Sequence, residues 1–272
     1  MQATIRQRRP ALRARIPRQL FPKHLERDYL GKLLDLLRLT HALVAHRLLP
    51  QLPALVREQS AIRGDAPAGE VDETLAAVRL ELGGAFSSSN LERIVQPLGV
   101  GISRAQRDQL GRQVRAAIGV EVPISDPNLS KQLEAWTQEN VALIKTIPRQ
   151  YLEQVQSTVI NGLTAGDRWE EIAGDLEDRF NVAESRAALI ARDQVGKFYG
   201  TLQRARQENL GVTSYIWRTA GDERVRPEHV EREGEHFQWD SPPEDGHPGM
   251  PINCRCTADP DLEAVLEQLA SE

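Results

Sequence analysis

Gly211-Val212-Thr213-Ser214-Tyr215-Ile216-Trp217-Arg218-Thr219 marks the point where this chain changes character. Val212 to Thr219 is β-branched and aromatic, which predicts a strand. Gly211 stands where the C-terminal cap of a preceding helix belongs. Downstream the chain is polar and dense in turn residues: Gly221-Asp222, Ser241-Pro242-Pro243, Gly246, Pro248-Gly249 and Pro251. A segment this poor in apolar side chains cannot build a core alone. It needs a metal staple or a neighbour to dock on.

Upstream of Gly211 the periodicity is helical. Leu30, Leu33, Leu34, Leu37, Val44, Leu48 and Leu49 recur at three- and four-residue steps, which predicts helix over 21–60, broken or kinked by Pro50 and Pro53. Residues 61–71 read as a linker. Shorter helices are expected near 72–82 and 104–118, with Ser87-Ser88-Ser89-Asn90 able to cap a helix starting at Leu91. Pro123 and Pro127 mark a boundary. Four further helices are then expected. One ends at Ile147-Pro148 and one stops near Gly166. The third is capped by Asp167 with Glu170, and the fourth by Asn181 with Glu184. The short stretch 261–270 returns to helix. The fold class is therefore mainly α, a multi-helix body with a small α+β C-terminal module. The expected division is a basic arm (1–23), a divergent helical region (24–125), a second helical region (126–211), the module (212–258) and a C-terminal helix or tail (259–272).

The longest apolar run is five residues, Ala187 to Ala191, so nothing in the sequence can span a bilayer as a helix. The basic N-terminus lacks the apolar segment of a secretory signal. Residues 1–23 carry seven basic and no acidic side chains. Arg6, Arg8, Arg9, Arg13, Arg15 and Arg18 have no interleaved aromatics. That suits non-specific phosphate contact or docking on an acidic protein surface, not base reading.

Both cysteines of the chain sit in Asn253-Cys254-Arg255-Cys256, and three of its six histidines, His229, His236 and His247, lie just upstream. A Cys-x-Cys pair does not readily close on itself, so a reducing setting is expected. Thiolate and imidazole are ligands that zinc prefers. His229, Cys254 and Cys256, with His247 or His236 as the fourth ligand, would make a Cys2His2 set for a structural zinc. The alternative is that the cysteines are small packing residues and that Asn253 and Arg255 hydrogen-bond the loop. Asp222, His229 and Glu233 admit an acid–base or nuclease reading, but that work needs groups converging on one point, which sequence spacing does not show. Asp222 reads better as a turn former that pairs with Arg226 or caps the segment from Arg224 to Glu231. The chain has no Gly-rich phosphate loop and no His-Glu-x-x-His motif. Catalysis is not expected.

Residues 217–232, WRTAGDERVRPEHVER, followed by Pro251 to Cys256, resemble the phage Mu protein F-like family of phage head morphogenesis (minor head, minor capsid) proteins. Trp217, Asp222, Arg226, His229, Asn253, Cys254, Arg255 and Cys256 carry the resemblance. Upstream, Glu139 to Ile147 is similar to the family's EN-x-x-LIK-x-I helix and Arg186 to Arg192 to its RA-x-x-IAR helix. The family commonly continues with Thr-Glu where this chain has Asp193-Gln194, so the role of that glutamate need not carry over. The resemblance covers about residues 130 to 258. It implies a virion protein in the head or near the portal, present in the host cytoplasm during assembly. Such a protein would act in head morphogenesis and DNA packaging or ejection. Its partners would be the portal or major capsid protein, with DNA touched only non-specifically and no membrane. The residues of the motif would be structural. The competing expectation is a metal-dependent enzyme carried in the virion, such as a nuclease.

Overall fold

The computed structural model describes residues 16–61 and 66–262. The chain is mainly helical: α1 (Lys23–Arg47), a 3-10 turn (Leu49–Gln51), α2 (Leu52–Ala61), α3 (Ala66–Leu82), α4 (Ser88–Ile118), α5 (Leu129–Ala165) and α6 (Trp169–Asn209). A small α+β region follows, with β1 (Ser214–Arg218), α7 (Pro227–Glu231), β2 (His236–Gln238) and β3 (Thr257–Pro260). Among the described residues no helix is long and apolar enough to cross a membrane. Arg6, Arg8, Arg9, Arg13 and Arg15 lie outside the described residues, as does nearly all of the helix expected at 261–270.

The prolines at 50 and 53 act as expected, because α1 gives way to the 3-10 turn before α2 begins. Two other expected breaks are absent, and one helix is longer than expected. Helix α4 starts at Ser88, where Ser87 Oγ accepts the Asn90 N–H at 3.4 Å, and it runs straight through Pro97. Helix α5 continues through Pro148. Ile147, Tyr151, Leu152 and Val155 are all buried along it, so packing on both sides of the proline outweighs the missing hydrogen bond, a cost of about 3 kcal/mol. Helix α6 passes through Asn181 and Glu184, with Ala183 and Ala187 buried across the expected break. A cap sequence with no breaker beside it does not end a helix. At the start of α6 the cap sits one residue later than expected: the Glu171 carboxylate, not Glu170, accepts the Arg168 N–H at 3.0 Å. Helix α3 begins at Ala66, inside the expected linker, with Pro67 in its first turn where the lost donor costs nothing.

The chain forms two compact units, with residues from α1, α4, α5 and α6 in both. One comprises residues 27–96 and 137–191. It is all helical, with a core that includes Leu33, Leu37, Leu48, Leu52, Leu75, Leu91, Val155 and Val159. Two polar pairs sit inside it: Tyr29 Oη donates to Asn140 Oδ1 at 2.6 Å, and Tyr151 Oη lies 2.8 Å from His41 Nδ1.

The other unit comprises residues up to Glu26, Pro97–Trp136 and the chain from Arg192 onward. Its sheet has the order β2-β1-β3, antiparallel throughout, with Tyr215 opposite both Phe237 and Pro260 and Trp217 opposite Ala258. Gly211 has φ +77 and ends α6 as expected; the Val212 N–H returns to Gln207 O at 2.9 Å. One core cluster gathers Tyr215, Trp217, Trp239, Cys254, Cys256 and Ala258. A second joins Leu110, Val114 and Ala117 of α4 to Val212 and Leu262.

Candidate functional site

The residues singled out in sequence converge in the α+β region of this second unit. Strand β1 places Trp217, fully buried. Gly221, with φ +69, turns the chain so that Asp222 Oδ1 accepts the Arg224 N–H at 3.2 Å. Asp222 is a turn former as expected, but its ion-pair partner is Arg255, not Arg226. The two nitrogens of Arg255 reach its carboxylate at 2.5 and 2.7 Å. This fork raises the Arg255 guanidinium and holds the Asp222 carboxyl below its ordinary value. Arg226 instead donates to Ile252 O at 2.7 Å, tying the start of α7 to the 251–253 turn. Pro227 opens α7 in the first-turn position, and the helix carries His229 inward to 2% exposure.

Asn253 has φ +66, the left-handed conformation that asparagine tolerates better than most residues. Its N–H reaches Asp193 Oδ1 at 3.3 Å, and its Oδ1 accepts from Arg192 at 2.9 Å. That turn sends Cys254 and Cys256 into the core, while Arg255 between them points to Asp222. Helix α6 permits it through Gly196 and Gly200. A side chain at either position would run into the backbone of the 248–254 loop.

Cys254, Cys256 and His229 form one compact group, their ligand atoms all within 4.8 Å of one another. His229 Nδ1 lies 3.4 Å from Cys256 Sγ and 3.7 Å from Cys254 Sγ. On the other side of the ring, Nε2 meets Asp245 Oδ2 at 2.7 Å, and Arg232 holds the second oxygen of that carboxylate at 2.6 Å. Trp217 packs edge-on against the imidazole, and the Arg232 guanidinium lies 5.0 Å from the indole centroid. The sulfurs are not equivalent. Cys254 is pushed down, first by its hydrogen bond with Cys256 and then, against burial, by His229. Cys256 is pushed up by the bond with Cys254 and by burial. The imidazole is raised, chiefly by the bond to Cys254 and then, with burial opposing, by Asp245.

His247 and His236 stand apart from this group. His247 Nδ1 faces Tyr215 Oη at 3.0 Å, and its ring lies 4.9 Å from that of Trp239; burial holds it low. His236 Nδ1 contacts Asp261 Oδ2 at 2.7 Å. Of the four residues named for zinc, three are brought together and His247 is not. Glu233 also stands apart from the group: it accepts the Thr219 N–H and hydroxyl at 2.7 and 2.8 Å and pairs with Arg18 at 3.2 Å. Arg18 is the one member of the arm's arginine set among the described residues.

A buried amide network was not foreseen. Gln19 donates its N–H to Asp259 Oδ1 at 2.8 Å and its side chain to Gln113 at 2.7 Å, while Gln203 donates to Gln19 Oε1 at 2.7 Å. Gln207 donates to Ala258 O at 2.8 Å and accepts from the Trp239 indole at 3.1 Å. These glutamines fasten β3 and residues 17–20 to α4 and α6. Nothing in their spacing marks them, because a glutamine on a helix ordinarily reads as solvated surface.

Residues 153–259 match the family described as Phage Mu protein F like protein, so the resemblance read from the motif residues holds over that segment. The matched segment includes the Arg186–Arg192 helix and the whole Trp217–Cys256 motif; the Glu139–Ile147 stretch lies before it. A protein of Haemophilus influenzae (strain KW20/Rd), described as uncharacterized, is 39% identical over 140 residues, covering 51% of this chain and 31% of that protein. The chain thus spans about a third of the length of this relative. No solved structure matches.

Proposed function

We propose that this chain, which carries a Phage Mu protein F like segment, is a minor head protein of a tailed phage or prophage. It would act in head morphogenesis and in DNA packaging or ejection. The observation that carries this reading is the match over residues 153–259, which includes every motif residue from Trp217 to Cys256. The geometry favours contact over catalysis. Cys254 and Cys256 are each 4% exposed, and the cavity beside them, about 60 Å³, is far smaller than the ~300 Å³ or more of a typical ligand cleft. The motif residues accordingly serve as internal fasteners of residues 212–258. Binding falls to the outer surfaces, whose partners are the portal or the major capsid protein in the virion. The basic arm contributes non-specific contact with DNA phosphates or an acidic portal surface.

The test is genetic and compositional. A nonsense mutation in the gene should yield particles that are defective in head assembly or DNA content, rescued by the chain in trans. Mass spectrometry of purified wild-type particles should find the chain in fewer copies than the major capsid protein. Mutant particles with normal titre, morphology and DNA content would refute the reading. Metal-stimulated DNA cleavage by the purified chain, abolished by His229→Ala, would replace it with the virion-carried nuclease.

A further inference from the structure

We propose that Cys254 Sγ, Cys256 Sγ and His229 Nδ1 bind one zinc ion, with Asp245 orienting the imidazole and a water from the adjoining cavity as the fourth ligand. The argument is independent of the family reading, because it rests on the geometry of three side chains. In a tetrahedral site with Zn–S near 2.3 Å and Zn–N near 2.0 Å, nitrogen and sulfur stand about 3.5 Å apart. Here the two such edges are 3.4 and 3.7 Å. The group therefore has the dimensions of a coordination shell before an ion is placed in it.

Three further features fit. His229 Nε2–H donates to the Asp245 carboxylate at 2.7 Å, which leaves the Nδ1 lone pair facing the sulfurs. A carboxylate behind a histidine is the usual support of a metal-bound imidazole. Arg232 in turn fixes Asp245 at 2.6 Å. The positive φ of Asn253 supplies the turn that a Cys-x-Cys spacing otherwise lacks, so both sulfurs face the same point. Finally, both sulfurs lie beside one imidazole nitrogen, so a single ion can take all three donors at once. Zinc would displace both thiol protons, and the two thiolates balance its charge.

The fourth position follows from what is absent and what is open. Among the described residues no fourth His, Cys, Asp or Glu joins the group. His247 is engaged with Tyr215 instead. The cavity of about 60 Å³ is bounded by His229, Cys254 and Cys256, with Arg224, Arg226 and Arg255 also on its wall. It has room for a water molecule, which needs roughly 15 Å³ of such volume.

The full chain, purified under reducing conditions, stripped with a chelator and then titrated with zinc, should take up one ion and release two protons. X-ray absorption should give two sulfur and two nitrogen or oxygen neighbours. The double variant Cys254→Ser/Cys256→Ser should lose the ion. Asp245→Asn, which keeps all three ligands, should keep the stoichiometry but weaken affinity about 10- to 100-fold. His247→Ala should bind as tightly as the wild type. Circular dichroism on each variant separates lost ligands from lost folding, and the wild-type absorption spectrum depends on no variant. Three results would overturn the proposal: no uptake by the reduced wild type, bound zinc without sulfur neighbours, or a His247→Ala variant that loses zinc as His229→Ala does.

Discussion

Replacing Gly200 by alanine should loosen the loop that delivers the cysteines, although alanine is the better helix former. Gly196 and Gly200 lie one turn apart on α6, and the 248–254 loop rests directly on them. A Cβ at Gly200 would stand 2.6 Å from Pro248 O, and one at Gly196 would stand 2.9 Å from Cys254 O. Both obstacles are backbone, so neither can rotate away. The approach is reciprocal: Gly249, with φ +85, would place a Cβ 2.6 Å from Gly196 O. Overpacking costs about 1–3 kcal/mol, and a contact of 2.6 Å with backbone that cannot rotate away belongs to the upper part of that range, about 2–3 kcal/mol. The gain in helix propensity returns at most about 1 kcal/mol. The net loss should be about 1–2 kcal/mol, felt locally. Hydrogen exchange read on peptides covering 246–258 should therefore accelerate by roughly 5- to 30-fold. Gly174→Ala is the internal control, because nothing lies within 4 Å of its added Cβ on the same helix. That variant should stabilise α6 by about 0.5–1 kcal/mol. If Gly200→Ala leaves exchange in 246–258 unchanged or slows it, the close approach of loop and helix is not real.

Other consequences can be checked separately. Cys254→Ser/Cys256→Ser should make residues 212–258 protease-sensitive and leave the helices between 130 and 210 folded; unchanged resistance of that region would count against the fastening role. Asp126→Ala strips the carboxylate from Arg206, which is 1% exposed and paired with it at 2.8 Å. Leaving that guanidinium uncompensated should cost about 3 kcal/mol in denaturant unfolding, and a loss under 1 kcal/mol would show that Ser103 and Gln106 suffice as its partners. Burial by itself would raise the Glu233 carboxyl, but the hydrogen bonds from Thr219 outweigh it and hold the group below its ordinary 4.5. A depressed carboxylate contributes stability above pH 4.5 that is lost as pH falls through its folded value. The stability gap between wild type and Glu233→Gln should thus be full at pH 7 and shrink steadily below pH 4.5; a gap independent of pH would assign the effect to shape instead of charge.

Legibility from sequence depended on whether a signal was local. The glycines that end α5 and α6 were readable, since Gly166 and Gly211 take φ of +82 and +77, and few other residues do so without strain. Pro148 and the Asn181–Glu184 pair misled, because a helix ends only where the penalty exceeds what packing returns, and packing is not local. Strand β1 was visible in its β-branched and aromatic run. Strands β2 (His236–Gln238) and β3 (Thr257–Pro260) were not, because neither has strand propensity of its own and each exists by pairing with β1.

The concentration of thiol and imidazole near the C-terminus was determined by sequence alone, and so was the set of motif residues from Trp217 to Cys256. Which histidine joins the sulfurs was not. His229, His236 and His247 are the same side chain in one polar stretch, and only the path of the chain separates them. Helix α7 turns His229 inward onto Asp245, whereas His247 closes against Tyr215. The partner of Asp222 was decided in the same way, by Arg255 arriving from a strand boundary 33 residues away. Tertiary structure also buried Gln19, Gln113, Gln203 and Gln207. Strand β3 and the chain before α1 bring backbone groups into the interior that must be satisfied there, and amides from α4 and α6 are the groups within reach. Propensity and composition act along the chain, whereas pairing a buried polar group is settled by whatever the fold places within about 3 Å of it.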